Sequence, residues 1–171
     1  MKTFAAEKQT VLDLKAYDEQ GHFIFVELQL QLQEFFVARS VYYLCEIVCD
    51  QLQRGECYSL LKPTVGISLL NFRLFPEDVR VHRRGLLLDE ATGQGLSELL
   101  ELHFVELPKL SANSMGEDPL LDWLHLLKYE HCYADSSQLP QQLRRQEEIK
   151  MAHDSMKRAY ATDEVQELLK A

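Results

Sequence analysis

The sequence predicts an α/β (α+β) protein, in which a mixed sheet with one early helix is followed by a helical C-terminal part. Two short alternating segments joined by turn residues come first. Near Glu34 the spacing of the apolar residues changes from a period of two to a helical period, and beyond Pro108 the composition becomes helical. The resulting order, β-β-α-β-β-β and then helices, is typical of a sheet built around a crossover helix.

The first predicted element is a β-hairpin. Its strands cover residues 11–17 and 22–33, and the residues between them, 18–21, have the turn-forming sequence DEQG. From Glu27 onward polar and apolar residues alternate strictly. This period of two predicts a polar face that includes Glu27 and Gln29 and an opposite, leucine-bearing face that is buried.

A helix and three further strands follow the hairpin. Apolar residues at helical spacing predict a helix over about residues 34–54, with Gly55 as its C-cap. The apolar run 65–70 is too short for a helix and predicts a buried strand. Residues 84–88 and 101–107, separated by a glycine-bearing turn, predict two more strands that extend the sheet.

The C-terminal part has a helical pattern. Ser114 and Glu117 form a candidate capping box ahead of a leucine-rich segment, which predicts a helix starting there. Residues 141–170 predict one or two amphipathic helices. We therefore expect two domains, residues 1–110 with the sheet and residues 111–171 with helices.

The composition excludes several classes of protein. The 171 residues include 18 Lys and Arg against 27 Asp and Glu, a net charge of −9, which excludes a globally basic nucleic-acid binder. Apolar runs fall far short of the roughly 20 residues that a membrane span needs. The four cysteines form neither a CxxC pair nor a dense disulfide framework. We expect a cytoplasmic protein with reduced thiols and no membrane partner.

Two acidic residues of the hairpin are the most informative candidates for chemistry. Asp13 and Glu27 lie on adjacent predicted strands, where their carboxylates can converge on a hard divalent cation. The Leu28 carbonyl is a candidate third ligand, and Gln29, on the same face as Glu27, is placed to orient an attacking water. The alternative is that both acids simply solvate the edge of a sheet.

Short sequence motifs spread over residues 11–110 resemble those of a known family. In chain order they are VLDLKAYDEQG (11–21), VELQLQ (26–31), RSVYY (39–43), QLQRGECY (51–58), LKPTVGIS (61–68), NFRLF (71–75) and LHFVELPKL (102–110). Together and in this order they resemble the recombination-promoting nuclease and transposase family of the PD-(D/E)XK nuclease superfamily. The resemblance implies a restriction-endonuclease-like mixed central sheet with flanking helices.

The resemblance also implies a metal-dependent enzyme. Asp13, Glu27 and the Leu28 carbonyl would hold Mg²⁺, with Mn²⁺ as a substitute, and Gln29 would occupy the place of the superfamily lysine. The implied activity is hydrolysis of DNA phosphodiester bonds, linked to recombination or transposition of mobile elements. A neutral amide at Gln29 positions water but does not offset negative charge, so the cation would do more of the electrostatic work.

Two residues of the predicted helix are candidates for substrate binding. Arg39 and Tyr43 lie one helical turn apart, after the ExQ motif, and either contact DNA phosphate or support the site. The alternatives are a surface ion pair for Arg39 and core packing for Tyr43.

The start of the chain departs from the family pattern. Members usually carry a helix ahead of the hairpin, whereas ten residues precede Val11, so we expect this first core helix to be missing. The alternative function is then a truncated, catalytically silent remnant that self-associates, for example as a homodimer, through an uncovered sheet or through the C-terminal helices. A third alternative is a structural metal site that uses Cys45, Cys49 and nearby histidines.

Overall fold

The computed structural model describes residues 10–116 and 118–160, with only the backbone of residues 10–13 and of Tyr160. The expected absence of a helix ahead of the hairpin therefore concerns residues outside the described part, as do the predicted cap at Glu117 and the helical pattern beyond residue 160. By its contacts the chain divides into two compact units, one ending at Lys109 and the other beginning at Leu110.

The N-terminal unit contains a five-stranded mixed sheet in the order β1-β2-β3-β5-β4. The strands are β1 (Thr10–Tyr17), β2 (Phe23–Gln29), β3 (Thr64–Leu70), β4 (His82–Leu88) and β5 (Gly95–Glu106). The pairs β1–β2 and β4–β5 are antiparallel, and β2–β3 and β3–β5 are parallel. This mixed sheet confirms the predicted α/β class.

Helix α1 (Phe36–Cys49) connects the parallel strands β2 and β3. Its buried side chains Phe36 and Leu44 face the sheet, and the Phe36 ring meets the Phe104 ring of β5 edge-on, 6.2 Å between centroids. The helix is shorter than predicted, because Asp50 caps it and Gly55 lies in a later turn with φ 95°. Hydrophobic spacing continues past the helix because the following turn also packs partly inward.

The prediction that the polar face of β2 is the exposed one is wrong. Glu27 and Gln29 are 4% and 0% exposed, whereas Leu30 and Leu32 are 46% and 58% exposed. The strand ends at Gln29, so the two leucines lie in the linker to α1. β2 is an interior strand, and the helix covers the face that carries Glu27, so its polar side chains are enclosed.

Strands β4 and β5 are longer than the apolar segments from which they were predicted. β5 begins at Gly95 rather than at residue 101, and β4 begins at His82 rather than at residue 84. The outer parts of this β4–β5 hairpin are mostly exposed, and its register shifts between Leu86 and Leu88. Strand residues that are exposed to solvent do not have to alternate between apolar and polar. The alternation in the sequence therefore predicts strands that are too short.

The C-terminal unit is helical, with α2 (Pro119–Tyr129), α3 (Gln141–Arg144) and α4 (Glu147–Tyr160). Its core is Leu126, Leu139, Leu143 and Ile149. The predicted start of α2 at Ser114 is wrong. The N-cap is Asp118, whose carboxylate accepts a 2.8 Å hydrogen bond from the Leu120 amide, with proline in the first turn.

Four short 3₁₀ turns complete the described secondary structure, at Tyr58–Leu60, Leu107–Lys109, Glu130–Cys132 and Ser136–Gln138. Within the described ranges no helix has the length and apolar character that crossing a membrane requires.

Candidate active site

The strand register relates the two candidate acidic residues to each other. Asp13 of β1 is directly opposite Glu27 of β2 in the antiparallel ladder. Residues at directly opposite positions belong to the same face of a sheet, with Cβ atoms about 5 Å apart in general. The Asp13 side chain itself is outside the described part of the chain, so the register is what the structure gives for this pair.

The Glu27 carboxylate is enclosed and hydrogen-bonded. One oxygen, Oε1, accepts a 2.9 Å hydrogen bond from the Ser68 hydroxyl, and the other, Oε2, accepts one of 3.2 Å from the Gln29 side-chain amide. Ser68 lies directly opposite Glu27 in the parallel β2–β3 pairing. The pairing with β3 and the next residue on the same face of β2 therefore each place an uncharged donor on one carboxylate oxygen.

The charge of Glu27 has no counterion among the described side chains. No Lys, Arg or His there lies within ion-pair distance of this carboxylate, although it is 4% exposed. Burying an ionised carboxylate without a paired charge is unfavourable, and bound cations commonly supply that charge in enzyme sites. A carboxylate of this kind, opposite a second acidic residue, fits a divalent cation.

The described side chains do not complete a metal site by themselves. Among them, no group of three or more His, Cys, Asp or Glu residues is arranged to hold a metal ion. The backbone carbonyl of Leu28 is the third candidate metal ligand. Leu28 lies between Glu27 and Gln29 on β2, which pairs with β1 on one side and with β3 on the other. The alternative at Cys45 and Cys49 gains no support, since no third potential ligand among the described residues joins them in a group that could hold a metal ion.

Gln29 is the last residue of β2 and is fully buried. Its side-chain amide donates to Glu27, and its backbone carbonyl accepts a 2.9 Å hydrogen bond from the Asn71 amide. Glu27 and Gln29 are therefore hydrogen-bonded to each other, and the chain that follows β3 is hydrogen-bonded to Gln29.

Arg39 and Tyr43 both lie on α1. Within the described part of the chain, neither shows the purely structural role considered for it above, a surface ion pair for Arg39 and core packing for Tyr43. Arg39 is half-buried, and its Nε and Nη2 atoms are buried without a hydrogen-bond partner, while its guanidinium lies 5.1 Å from the Phe36 ring centroid. No ion pair of Arg39 occurs among the described residues. Tyr43 is 41% exposed and its ring packs against Tyr42, so it is not a core residue.

Sequence reasoning missed three polar residues that support this region: Ser68, Glu106 and Lys109. Glu106 is 1% exposed and accepts hydrogen bonds from the Leu74 and Phe75 amides, of 2.6 and 3.1 Å, and from the Lys109 ammonium group. Lys109 also donates to the Phe75 carbonyl at 2.8 Å. Small polar residues at alternate positions of β3 were the available signal for Ser68.

Comparison with known proteins identifies a family for the chain. A family model described as PD-(D/E)XK nuclease family transposase matches residues 1–171. Neither the curated proteins nor the solved structures include a match to the chain. The mixed five-stranded sheet, with α1 packed on it, is the restriction-endonuclease-like α/β architecture expected of such nucleases. The chain therefore belongs to the PD-(D/E)XK nuclease family of transposases.

Proposed function

We propose that this protein is a Mg²⁺-dependent DNA endonuclease that hydrolyses phosphodiester bonds in recombination or transposition, with Mn²⁺ as a substitute metal. The observation that carries the proposal is Glu27, a buried carboxylate without a counterion among the described side chains, directly opposite Asp13 in the hairpin ladder. The family is one of nucleases, which supports DNA as the substrate. The nuclease chemistry is assigned to residues 1–110 and a helical accessory role to residues 111–171.

The proposed metal ligands are Asp13, Glu27 and the Leu28 carbonyl. When bound, the cation lowers the pKa of water and offsets the negative charge that accumulates at phosphorus during hydrolysis. Ser68 fixes the orientation of Glu27 through its 2.9 Å hydrogen bond. The Glu27 carboxylate thus keeps one geometry before and after substrate enters.

Gln29 is proposed to orient the attacking water. Its amide donates to Glu27 and also carries a carbonyl oxygen, so it can hold a water proton but supplies no positive charge. That charge is proposed to come from Arg39, since its Nε and Nη2 atoms have no hydrogen-bond partner in the described part of the chain and a guanidinium suits a phosphate oxygen. Tyr43, one turn further along α1, is proposed to contact the same DNA strand from the rim.

The acidic net charge does not conflict with a DNA substrate. A divalent cation and a local cation such as Arg39 act at the scissile phosphate, whereas the net charge of −9 is spread over the whole chain. Four free cysteines support a reducing, cytoplasmic setting for this enzyme.

The first test is cutting of supercoiled plasmid DNA by purified protein with Mg²⁺ or Mn²⁺. We expect nicking or linearisation that is abolished by chelator and reduced at least about a hundredfold by Asp13→Ala, because loss of one ligand removes the metal. Glu90→Ala, an exposed acid in the β4–β5 turn, is the matched control and should cut as the parent does. Circular dichroism checks that each variant is folded.

Two results contradict the proposal. Equal cutting by Asp13→Ala would show that the site is assigned to the wrong residues. Folded parent protein that cuts no DNA with either metal would favour the silent remnant, and light scattering would then show whether that remnant is a homodimer.

A further inference from the structure

The linker between β2 and α1 exposes apolar side chains directly beside the candidate site. Leu30, Leu32 and Phe35, here called the apolar tip, are 46%, 58% and 75% exposed. They lie within the six residues that follow Gln29, the last residue of the ExQ motif. Exposed apolar side chains grouped in this way are typical of a contact surface.

Phe35 has an unfavourable backbone conformation as well. Its φ of 58° and ψ of 25° lie in the left-handed region, and it is the one residue other than glycine with positive φ among those described. A bulky side chain is disfavoured there, and glycine would be the stable choice. Neither packing nor capping compensates, because the ring is mostly in solvent and no side chain caps the helix.

The surroundings of the apolar tip fit a nucleic acid better than a second copy of this chain. One turn beyond Phe35, whose carbonyl accepts a hydrogen bond from the Arg39 amide, the Nε and Nη2 atoms of Arg39 are buried without a hydrogen-bond partner among the described residues. A polyanion satisfies that cation at any phosphate along its length, whereas a second copy of this chain would have to place one particular acidic side chain on it. The Arg39 guanidinium itself lies over the buried Phe36 ring, one helical turn along α1 from the exposed Phe35 ring. A cation and an exposed ring at this spacing suit a phosphate with its attached base.

We propose that the apolar tip, through the Phe35 ring, stacks on an unpaired base next to the scissile phosphate, so that the enzyme prefers DNA with a locally unstacked strand. This inference rests on the proposed nuclease function, because it takes the bound strand to be the one that is cut. Apolar side chains that insert at base steps and aromatic rings that stack on bases are established modes of DNA contact.

The experiment measures binding separately from cutting. Binding of the full chain to a fully paired duplex, and to the same duplex with an unpaired 2-aminopurine, is followed by fluorescence in chelator at low salt. We expect Phe35→Gly to weaken binding of the second duplex at least about fivefold and to abolish the fluorescence change, with the paired duplex affected less than about twofold. Phe35→Trp should retain the preference.

Two controls separate stacking from folding. Phe35→Gly should melt no lower than the parent, since glycine adopts this φ without strain. Tyr58→Ala removes another highly exposed aromatic, 83% exposed in a 3₁₀ turn, and should bind both duplexes as the parent does.

Three results overturn the inference: equal binding of the unpaired-base duplex by parent and Phe35→Gly, no binding of either duplex by the parent, or conversion of a dimer into a monomer by Phe35→Gly. The nuclease proposal fails separately. A parent that cuts plasmid but is unaffected by Phe35→Gly overturns the stacking alone, whereas Phe35-dependent binding without cutting overturns the nuclease proposal alone.

Discussion

Glu27 is an acidic residue that is buried without a charged partner among the described side chains. Its carboxylate is 4% exposed, and the described groups that touch it are an uncharged hydroxyl and an uncharged amide. Such a group is held in place by hydrogen bonds but is not neutralised by them. Without a cation, the folded state carries the free-energy penalty of this charge.

We predict that Glu27→Gln raises the free energy of unfolding in metal-free buffer, by roughly 1–2 kcal/mol, because the charge is removed while a hydrogen-bonding oxygen remains beside Ser68. Millimolar Mg²⁺ should then raise the melting temperature of the parent but not of this variant. Urea titration and thermal melts measure both effects. A variant that is less stable than the parent, or that is stabilised by Mg²⁺ to the same extent, would contradict the prediction.

The sequence indicated the candidate acids but not Ser68, the residue that donates a hydrogen bond to one of them, Glu27. Asp13, Glu27 and Gln29 are recognisable because they lie on one local hairpin with a period of two. Ser68 is 41 residues from Glu27 in the chain, and its role depends on the parallel register between β2 and β3. Alternation likewise gives the two faces of a strand but not which face a later helix covers.

At the scale of elements, a buried ion pair fixes the loop that follows β3. Side-chain exposures of Lys109 and Glu106 are 4% and 2%, and together they bind the backbone of Leu74 and Phe75 through three hydrogen bonds. The same loop is attached to Gln29 through the Asn71 amide. The carboxyl ends of β2, β3 and β5 are thereby connected.

We predict that Lys109→Met lowers the free energy of unfolding by about 3–5 kcal/mol, because it leaves the Glu106 carboxylate buried without its cation. The double variant Glu106→Gln with Lys109→Met should recover part of this loss, since the uncompensated charge is then absent. Urea unfolding of the three proteins measures the coupling. A loss below about 1 kcal/mol for Lys109→Met would show that water reaches the pair.

The bounds of a helix or strand were predictable where the apolar segment of the sequence ends at the same residue as the element itself. β3 has apolar and small residues throughout and was located to within one residue, whereas α1 was extended past Cys49 because the apolar residues continue after it. The start of α2 depended on which of several polar residues accepts from the backbone, and that is a matter of loop geometry. The left-handed residue Phe35 had no signal, because its sequence contains no turn former.

At the scale of the whole molecule, the two units differ in the groups that respond to acid. In the C-terminal unit, burial lowers the pKa of His125 below its ordinary value of 6.5. In the N-terminal unit, the hydrogen bonds from Arg84 lower the pKa of Glu101 below its ordinary value of 4.5. Both groups bind protons more weakly in the folded state, so acid destabilises both units, but over different pH ranges.

We predict that acidification weakens the C-terminal unit first. The contribution of His125 is fully present above pH 6.5 and is lost as the pH falls below that value, whereas that of Glu101 is lost below about pH 4.5. Hydrogen exchange followed by mass spectrometry should show α2 amides losing protection as the pH falls below 6.5 and before β3 and β5 lose theirs. Simultaneous loss in both units, or earlier loss in the sheet, would contradict this.

The fold class followed from the changes in periodicity along the chain. The strand order did not, because insertion of β3 between β2 and β5 depends on parallel pairings between segments distant in sequence. Local turn chemistry specifies hairpins such as β1–β2 and β4–β5, but no local signal specifies a crossover connection.

The same strand order has a consequence for how the protein folds. The β1–β2 hairpin, with Asp13 opposite Glu27, closes over a short turn, an event that takes about 1–10 μs in general. Ser68 reaches Glu27 only after the chain between β2 and β3 has been spanned, which is a slower step with a larger loop entropy. The two acids therefore meet early in folding, and the serine that holds one of them arrives late.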